Sequence, residues 1–113
     1  MYNTVLVTRG DTTNIYVDIL KEAALDAVTE EDTIYFGLLD FKQPFENALL
    51  KKRFTYKDLS DDGELIITLT PRDTLDLLPG TYFGTVKLHR VRKAEGIDEV
   101  ITVIDRAKII INA

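Results

Sequence analysis

The sequence predicts an all-β fold, an antiparallel sandwich of about seven strands in a single domain over residues 1–113. Apolar residues occur at every second position in several short segments, as expected for half-buried strands. Turn residues such as Arg9-Gly10-Asp11 and Pro79-Gly80 separate these segments. No segment shows a sustained helical period.

Three strands are predicted in the first third of the chain, over residues 4–8, 13–20 and 33–39. Gly10 between the first two can adopt the positive φ that a tight corner often requires. The second strand alternates clearly, with Ile15 and Val17 on its inward face. The third has apolar residues on both faces, which is unusual for a strand with one face in solvent.

Two segments remain open between helix, strand and loop. The stretch from Lys21 to Asp32 contains good helix formers, and an ordered loop with a helical turn fits it equally well. The stretch from Phe45 to Phe54 has apolar residues at both helical and strand spacings. Asp61-Asp62-Gly63 is a tight-turn signal, which favours a strand before it as the hairpin partner of residues 64–70.

Later elements have clear signals. Thr70-Pro71-Arg72-Asp73 predicts the start of a short helix, with Thr70 as N-cap and Pro71 at the first helical position. A long strand follows Gly80, a polar tip covers residues 92–96, and the last strand covers residues 100–112. Because Asp105-Arg106-Ala107 interrupts its alternation, we expect a β-bulge there.

The Pro-Gly corner before Tyr82 is typical of the penultimate strand of an Ig-like sandwich, so the fold class is refined to an Ig-like antiparallel β-sandwich. The inward positions of the predicted strands define a core of ten residues: Ile15, Val17, Ile34, Phe36, Leu65, Ile67, Leu69, Tyr82, Val86 and Leu88.

Composition excludes several functions. The chain has no Cys, which excludes disulfides, thiolate metal sites and thiol catalysis. Its net charge of -5 disfavours nucleic acids and anionic membranes as partners. No apolar run has the length of a membrane span, and residues 1–4 lack the basic and apolar regions of a signal peptide, so we expect a protein made in the cytosol without its own leader.

The residues form no constellation typical of a catalytic or metal site, so we predict no enzyme and no cofactor. Arg9-Gly10-Asp11 is better explained as a corner than as an adhesive tripeptide. Asp58 to Gly63 resembles the start of a calcium loop, but Leu69 stands where the closing Glu belongs. Glu30-Glu31-Asp32, and Asp73 with Asp76, are expected to be solvated acidic edges. His89, the only histidine, is expected on an outward strand face without a supporting carboxylate.

Tyr16, Tyr35 and Phe83 form the candidate interaction face, because each lies opposite the apolar stripe of its strand. Two explanations are open. A long loop such as the one from Lys21 to Asp32 covers them, or they form an apolar patch that docks another subunit or protein.

Three stretches together support a resemblance: Arg9-Gly10-Asp11-Thr12 leading into Ile15-Tyr16-Val17-Asp18, then Asp32-Thr33-Ile34-Tyr35-Phe36, then Leu78-Pro79-Gly80-Thr81-Tyr82 with a closing Ile109-Ile110-Ile111. Their order and spacing resemble the Ig-like N-terminal modules of phage and prophage baseplate or tail proteins, the upper-baseplate family above all.

The resemblance implies a virion structural protein that acts by protein–protein contacts, without catalysis. Such a protein is made in the bacterial cytoplasm and incorporated in a virion, where it binds other phage structural proteins or itself as a homo-oligomer. The alternative is a carbohydrate-binding or adhesion module, in which Tyr16, Tyr35 and Phe83 stack on sugar rings.

Overall fold

The computed structural model describes residues 4–40 and 43–113, which form a compact all-β fold as predicted. Two helices of five residues each, α1 (Ile19–Ala23) and α2 (Pro71–Leu75), connect strands, together with 3₁₀ turns at Phe45–Asn47, Tyr56–Asp58 and Lys93–Glu95. The strands are β1 (Val5–Thr8), β2 (Thr13–Asp18), β3 (Thr33–Leu39), β4 (Leu50–Phe54), β5 (Glu64–Leu69), β6 (Gly80–Arg92) and β7 (Ile97–Asn112).

The strands form two sheets that enclose the core between them. The larger sheet has the order β1-β7-β6-β3-β4, and the smaller sheet pairs β2 with β5. A two-stranded sheet thus faces a five-stranded mixed sheet in a β-sandwich-like arrangement. The pairing of β1 with β7 is parallel, whereas the other pairings are antiparallel.

The core contains the residues that alternation predicted. Nine of the ten are buried, and Ile15 is half-buried against them. The other side chains of this cluster come mainly from α1 and from the two strands at the chain ends: Val7, Ile19, Leu38, Val103, Ile104, Ile109 and Ile111. Burial of one such side chain contributes about 1.5–3 kcal/mol, so this cluster is the main source of stability.

The predicted hairpin partner of β5 is wrong, apart from one antiparallel bridge between Leu59 and Leu65 across the turn. β5 pairs with β2, whereas the segment before the turn, β4, pairs with β3 in the other sheet. The 3₁₀ turn Tyr56–Asp58 separates them and has a capping box, in which Asp58 accepts a hydrogen bond from the Thr55 amide over 2.8 Å. Gly63, with φ +82°, then starts β5 in the smaller sheet.

The structure shows which elements the two undecided segments, 21–32 and 45–54, form. From Lys21 onwards only the end of α1 is helical, and Ala24 ends it in the left-handed conformation at φ +54°. Residues 25–32 form an ordered loop whose Leu25 and Val28 pack against the core. In the second segment a 3₁₀ turn at Phe45–Asn47 precedes β4.

The predicted helix start at Thr70 is confirmed as the capping box of α2. Thr70 Oγ1 accepts a hydrogen bond from the Asp73 amide, and the Asp73 carboxylate accepts one from the Thr70 amide. Lys52 Nζ lies 2.8 Å from Asp73 Oδ2, which ties α2 to β4. Asp73 is therefore not the solvated edge that we expected. Burial raises its pKa, but the bonds from Lys52 and Thr70 outweigh burial and leave the pKa of Asp73 below its ordinary value.

Tyr82 makes a hydrogen bond like that of the tyrosine corner in Ig-like sandwiches. Its hydroxyl donates a hydrogen bond of 2.5 Å to the carbonyl oxygen of Leu78, four residues upstream at the Pro-Gly corner. Burial, with a smaller effect of the Asp40 charge, raises the pKa of Tyr82. The hydrogen bond fixes the start of β6, which lies between β3 and β7 at the centre of the larger sheet.

The predicted bulge in β7 is present, and a second accompanies it. The register between β6 and β7 shifts on both sides of Val86. Arg106 has φ +53° at the first shift, where its amide donates to Thr85 Oγ1. Side chains five positions apart on a regular strand point to opposite faces. The extra residue at the bulge between them reverses this alternation, so Ile104 and Ile109 of β7 both point inward.

None of the helices in the described ranges is long and apolar enough to span a membrane.

Candidate functional site

The three predicted interaction residues lie on two different surfaces. Tyr16 is on the outer face of the smaller sheet and is 62% exposed. Tyr35 on β3 and Phe83 on β6 are half-buried on the outer face of the larger sheet, on the opposite side of the sandwich. The outward assignment is therefore correct for each side chain, but the three do not form one patch.

The outer face of the smaller sheet has three cross-strand pairs, and we call it the acidic ridge. Asn14 faces Thr68, and Tyr16 faces Ile66, which is 47% exposed. Asp18 faces Glu64 at the end of the ridge, and both are exposed. An aromatic and an aliphatic side chain thus project into solvent beside two carboxylates.

The outer face of the larger sheet has a groove of about 360 Å³. Its apolar floor is formed by Tyr35, Phe45 and Val100, and its rim by Lys51, Lys87, His89 and Glu46. Glycine at position 37 is required here, because a Cβ atom would lie 2.6 Å from a ring carbon of Phe45. The Phe45 ring therefore lies directly on the sheet backbone at Gly37, as part of the groove floor.

The groove is locally basic although the protein is acidic. Lys51 Nζ donates to the backbone carbonyl of Glu46 over 2.7 Å, and Lys87 Nζ lies 4.9 Å from the centre of the Phe45 ring. Arg53 faces Tyr35 across the β3–β4 ladder. Within residues 4–40 and 43–113, neither lysine ammonium is in an ion pair with a carboxylate.

The part of this face next to the groove is partly covered. The 3₁₀ turn that contains Phe45 covers the sheet at Gly37. Leu39, on the same outer face and opposite Phe83, is only 2% exposed. The loop from Lys21 to Asp32, which was one of the two open explanations, packs its Leu25 and Val28 against the core.

Asp32 ends that loop and is a structural residue. Its side chain is fully buried, and it accepts hydrogen bonds from Arg92 Nη1 (2.6 Å), the Val91 amide (3.0 Å) and the Thr29 amide (2.8 Å). Burial raises the pKa of Asp32, but these bonds and the Arg92 charge outweigh burial and leave the pKa below its ordinary value. The prediction of a solvated carboxylate is wrong here, because its cationic partner is 60 residues away.

His89 also has a carboxylate partner that the sequence analysis missed. His89 Nε2 lies 2.6 Å from Asp98 Oδ1 on the neighbouring strand β7. The two pair because the β6–β7 hairpin places His89 opposite Val100 and hence next to Asp98 on the same face.

The two motifs that invite a ligand have structural explanations. The Gly10 amide, at φ +89°, donates to the buried Thr74 Oγ1 of α2, which anchors the Arg9-Gly10-Asp11 corner. Asp58 caps its own turn, and Leu69 is buried in β5. In the described part of the chain, no three His, Asp or Glu side chains are grouped closely enough to hold a metal ion.

Strand alternation identifies one member of each surface, Tyr16 on the ridge and Tyr35 in the groove. Phe45, Lys51 and Lys87 were not singled out, because alternation identifies outward positions but not the turn that folds over them. The signal available was Gly37, a glycine in the middle of an otherwise apolar strand, which indicates close approach of another group.

No protein family model, no curated protein and no solved structure matches the chain.

Proposed function

We propose that this protein is a non-catalytic assembly module that acts through protein–protein contacts of its outer sheet faces. The observation that supports this most strongly is the groove, where two aromatic rings and Val100, itself 61% exposed, form an apolar surface between lysines. Apolar and aromatic groups surrounded by charged groups are the composition of a protein interface. The exposed Tyr16–Ile66 pair on the other sheet adds a second such surface.

The setting that we propose is a phage or prophage particle, at the baseplate or tail. The resemblance of the three turn-and-strand stretches supports it, and so do the β-sandwich-like arrangement of the sheets and the hydrogen bond from Tyr82 to Leu78. In this setting the partners are other structural proteins of the particle or further copies of this chain, and the protein is made in the bacterial cytoplasm and incorporated in the virion.

A carbohydrate-binding or adhesion module is the second candidate. The specific observation in its favour is the pair of aromatic residues, Tyr35 and Phe45, in one groove with the hydrogen-bonding groups of His89 and Lys87. Sugar rings stack on aromatic side chains, whereas their hydroxyls bind polar groups at the rim.

Co-expression with the products of neighbouring genes separates the two candidates. For an assembly module we expect a complex of defined stoichiometry with a particle protein on size-exclusion chromatography. Lys51→Glu in the groove should weaken the complex, whereas the matched change Arg72→Glu on the exposed surface of α2 should not. Absence of any such complex, together with binding to bacterial surface glycans that Tyr35→Ala abolishes, would refute the assembly function.

A further inference from the structure

The acidic ridge and the groove are complementary, and we propose that the ridge of one copy binds the groove of the next. This inference rests on the proposed assembly function and names a second copy of this chain as a partner. It concerns two surfaces that are both present on every molecule.

The ridge presents an apolar pair beside two carboxylates, of which Asp18 also caps α1 by accepting a hydrogen bond from the Lys21 amide over 3.1 Å. Tyr16 and Ile66 are a direct cross-strand pair with 62% and 47% of their surfaces exposed. The neighbouring pair, Asp18 and Glu64, places two carboxylates opposite each other. Like charges in that position destabilise a sheet, so a cation from a partner has a favourable place to bind.

The groove presents the opposite arrangement. Its floor of Tyr35, Phe45 and Val100 accepts an aromatic side chain, and its lysines stand beside that floor. Among the residues that the structure describes, Lys51 Nζ binds a backbone carbonyl and Lys87 Nζ lies over the Phe45 ring, so neither ammonium is neutralised there by a carboxylate. Two carboxylates oppose these lysines, Glu46 on the rim and Asp98 beside His89, and Arg53 beside Tyr35 adds a third cation.

Charge complementarity selects the partner. A basic groove on a protein of net charge -5 favours an acidic surface that carries an exposed aromatic residue. The acidic ridge has that composition. Tyr16 would enter the apolar floor while Glu64 and Asp18 approach Lys51 and Lys87.

The position of the two surfaces determines the symmetry. The ridge is on the outer face of the smaller sheet and the groove on the outer face of the larger sheet, so they lie on opposite sides of the sandwich. Two copies cannot satisfy both surfaces of each other through one reciprocal contact. The contact is therefore head-to-tail, and repetition generates a ring or an open row of subunits.

A single contact of this kind is weak. A two-stranded face six residues long measures roughly 20 Å by 10 Å, well below the roughly 800 Å² per partner of a stable interface. We therefore expect association of the isolated protein only at high micromolar concentration. Closure of a ring or attachment to a particle would strengthen it by raising the effective concentration.

Sedimentation equilibrium of two complementary variants provides the test. The ridge variant, Tyr16→Ala with Glu64→Gln, keeps an intact groove, and it removes one of the two facing carboxylates without adding a cation that the groove variant could bind. The groove variant, Lys51→Glu with Lys87→Glu, keeps an intact ridge. Arg72→Glu and Glu95→Lys change charge at exposed positions outside both surfaces and serve as matched controls.

We expect the wild type and both controls to associate with rising concentration, and each double variant alone to associate at least about tenfold more weakly. An equal mixture of the two variants should form dimers and no larger species, because only one productive contact remains. Raising ionic strength from about 0.01 M to about 1 M should weaken the mixture, since the Debye length falls from about 30 Å to about 3 Å. The single change Lys51→Glu, at an exposed position, repeats the test if the double groove variant does not fold.

Two results would overturn the inference. One is a wild type that is strictly monomeric at all concentrations, and the other is a variant mixture that associates no better than its components. Neither result decides the assembly function, since the co-expression experiment tests that with other partners.

Discussion

Replacement of Asp32 by alanine is the perturbation that the structure predicts most sharply. The buried carboxylate accepts bonds from Arg92 and from the amides of Val91 and Thr29. The alanine variant removes all three bonds and leaves the two amides without this acceptor, whereas Arg92 Nη1 keeps its bond to the Val91 carbonyl oxygen. At about 1 kcal/mol for each of three hydrogen bonds, we expect a loss of about 3 kcal/mol in the free energy of unfolding.

Thermal and urea unfolding measure this loss. For a chain of this length about 3 kcal/mol corresponds to a fall in Tm of about 12 °C. Glu30→Ala, two residues earlier on the exposed part of the loop, is the control and should change the free energy of unfolding by less than about 0.5 kcal/mol. If the two variants were equally stable, Asp32 would not hold the loop to β6.

The same carboxylate predicts a dependence on pH. Its pKa in the folded protein is lowered from the ordinary value of 3.8. A lowered folded pKa means stability that is complete above the unfolded pKa and lost as the pH falls through the folded pKa. Unfolding measured from pH 6 downwards should therefore show a loss of stability below about pH 4 that is smaller in Asp32→Asn. An identical pH profile for this variant would contradict the assignment.

Three further predictions concern the fold and the groove. Ile67→Ala should lower the free energy of unfolding by about 2–5 kcal/mol, whereas Ile66→Ala, at the outward neighbour on β5, should lower it by less than about 1 kcal/mol. Equal losses in urea unfolding would mean that the register of β5 is wrong. Tyr82→Phe should lower the free energy of unfolding by about 1–2 kcal/mol in the same assay, because the bond to the Leu78 carbonyl oxygen is lost. An unchanged unfolding midpoint would refute a stabilising role of this bond. Gly37→Ala should lower the free energy of unfolding by about 1–3 kcal/mol, because the new methyl group displaces the Phe45 ring. The same change should lower it much less in a Phe45→Ala background, and equal losses in both backgrounds would mean that the methyl group clashes with another residue.

The strands and the core were predictable because they depend on local patterns. Residues 33–39 form an apolar run between Asp32 and Asp40, and the predicted and observed bounds of β3 coincide. The capping box at Thr70 and the bulge at Arg106 also have local signals, a Thr-Pro start and a break in the alternation. Each of these features is determined by residues within a few positions of one another.

The remaining features depend on residues far apart in the sequence. The turn signal at Gly63 indicates a change of direction but not which sheet receives the next strand, so the partner of β5 was assigned wrongly. Asp32 stands in an acidic run that is typical of a solvated loop, and only the pairing with Arg92 explains its burial. The groove depends on a turn that folds Phe45 over Gly37, which no periodicity records.

Carbodiimide cross-linking of a mixture of ¹⁵N-labelled and unlabelled protein tests the proposed head-to-tail contact most directly. The reagent joins an amine to a carboxylate already in contact, and mixed-isotope peptides identify links between different molecules. Lys52 and Asp73, which are 2.8 Å apart, provide an internal control as a link within one molecule. We predict mixed-isotope links from Lys51 or Lys87 to Glu64 or Asp18 at high protein concentration. If the Lys52–Asp73 link forms and the mixed-isotope links are absent, the contact between ridge and groove does not exist.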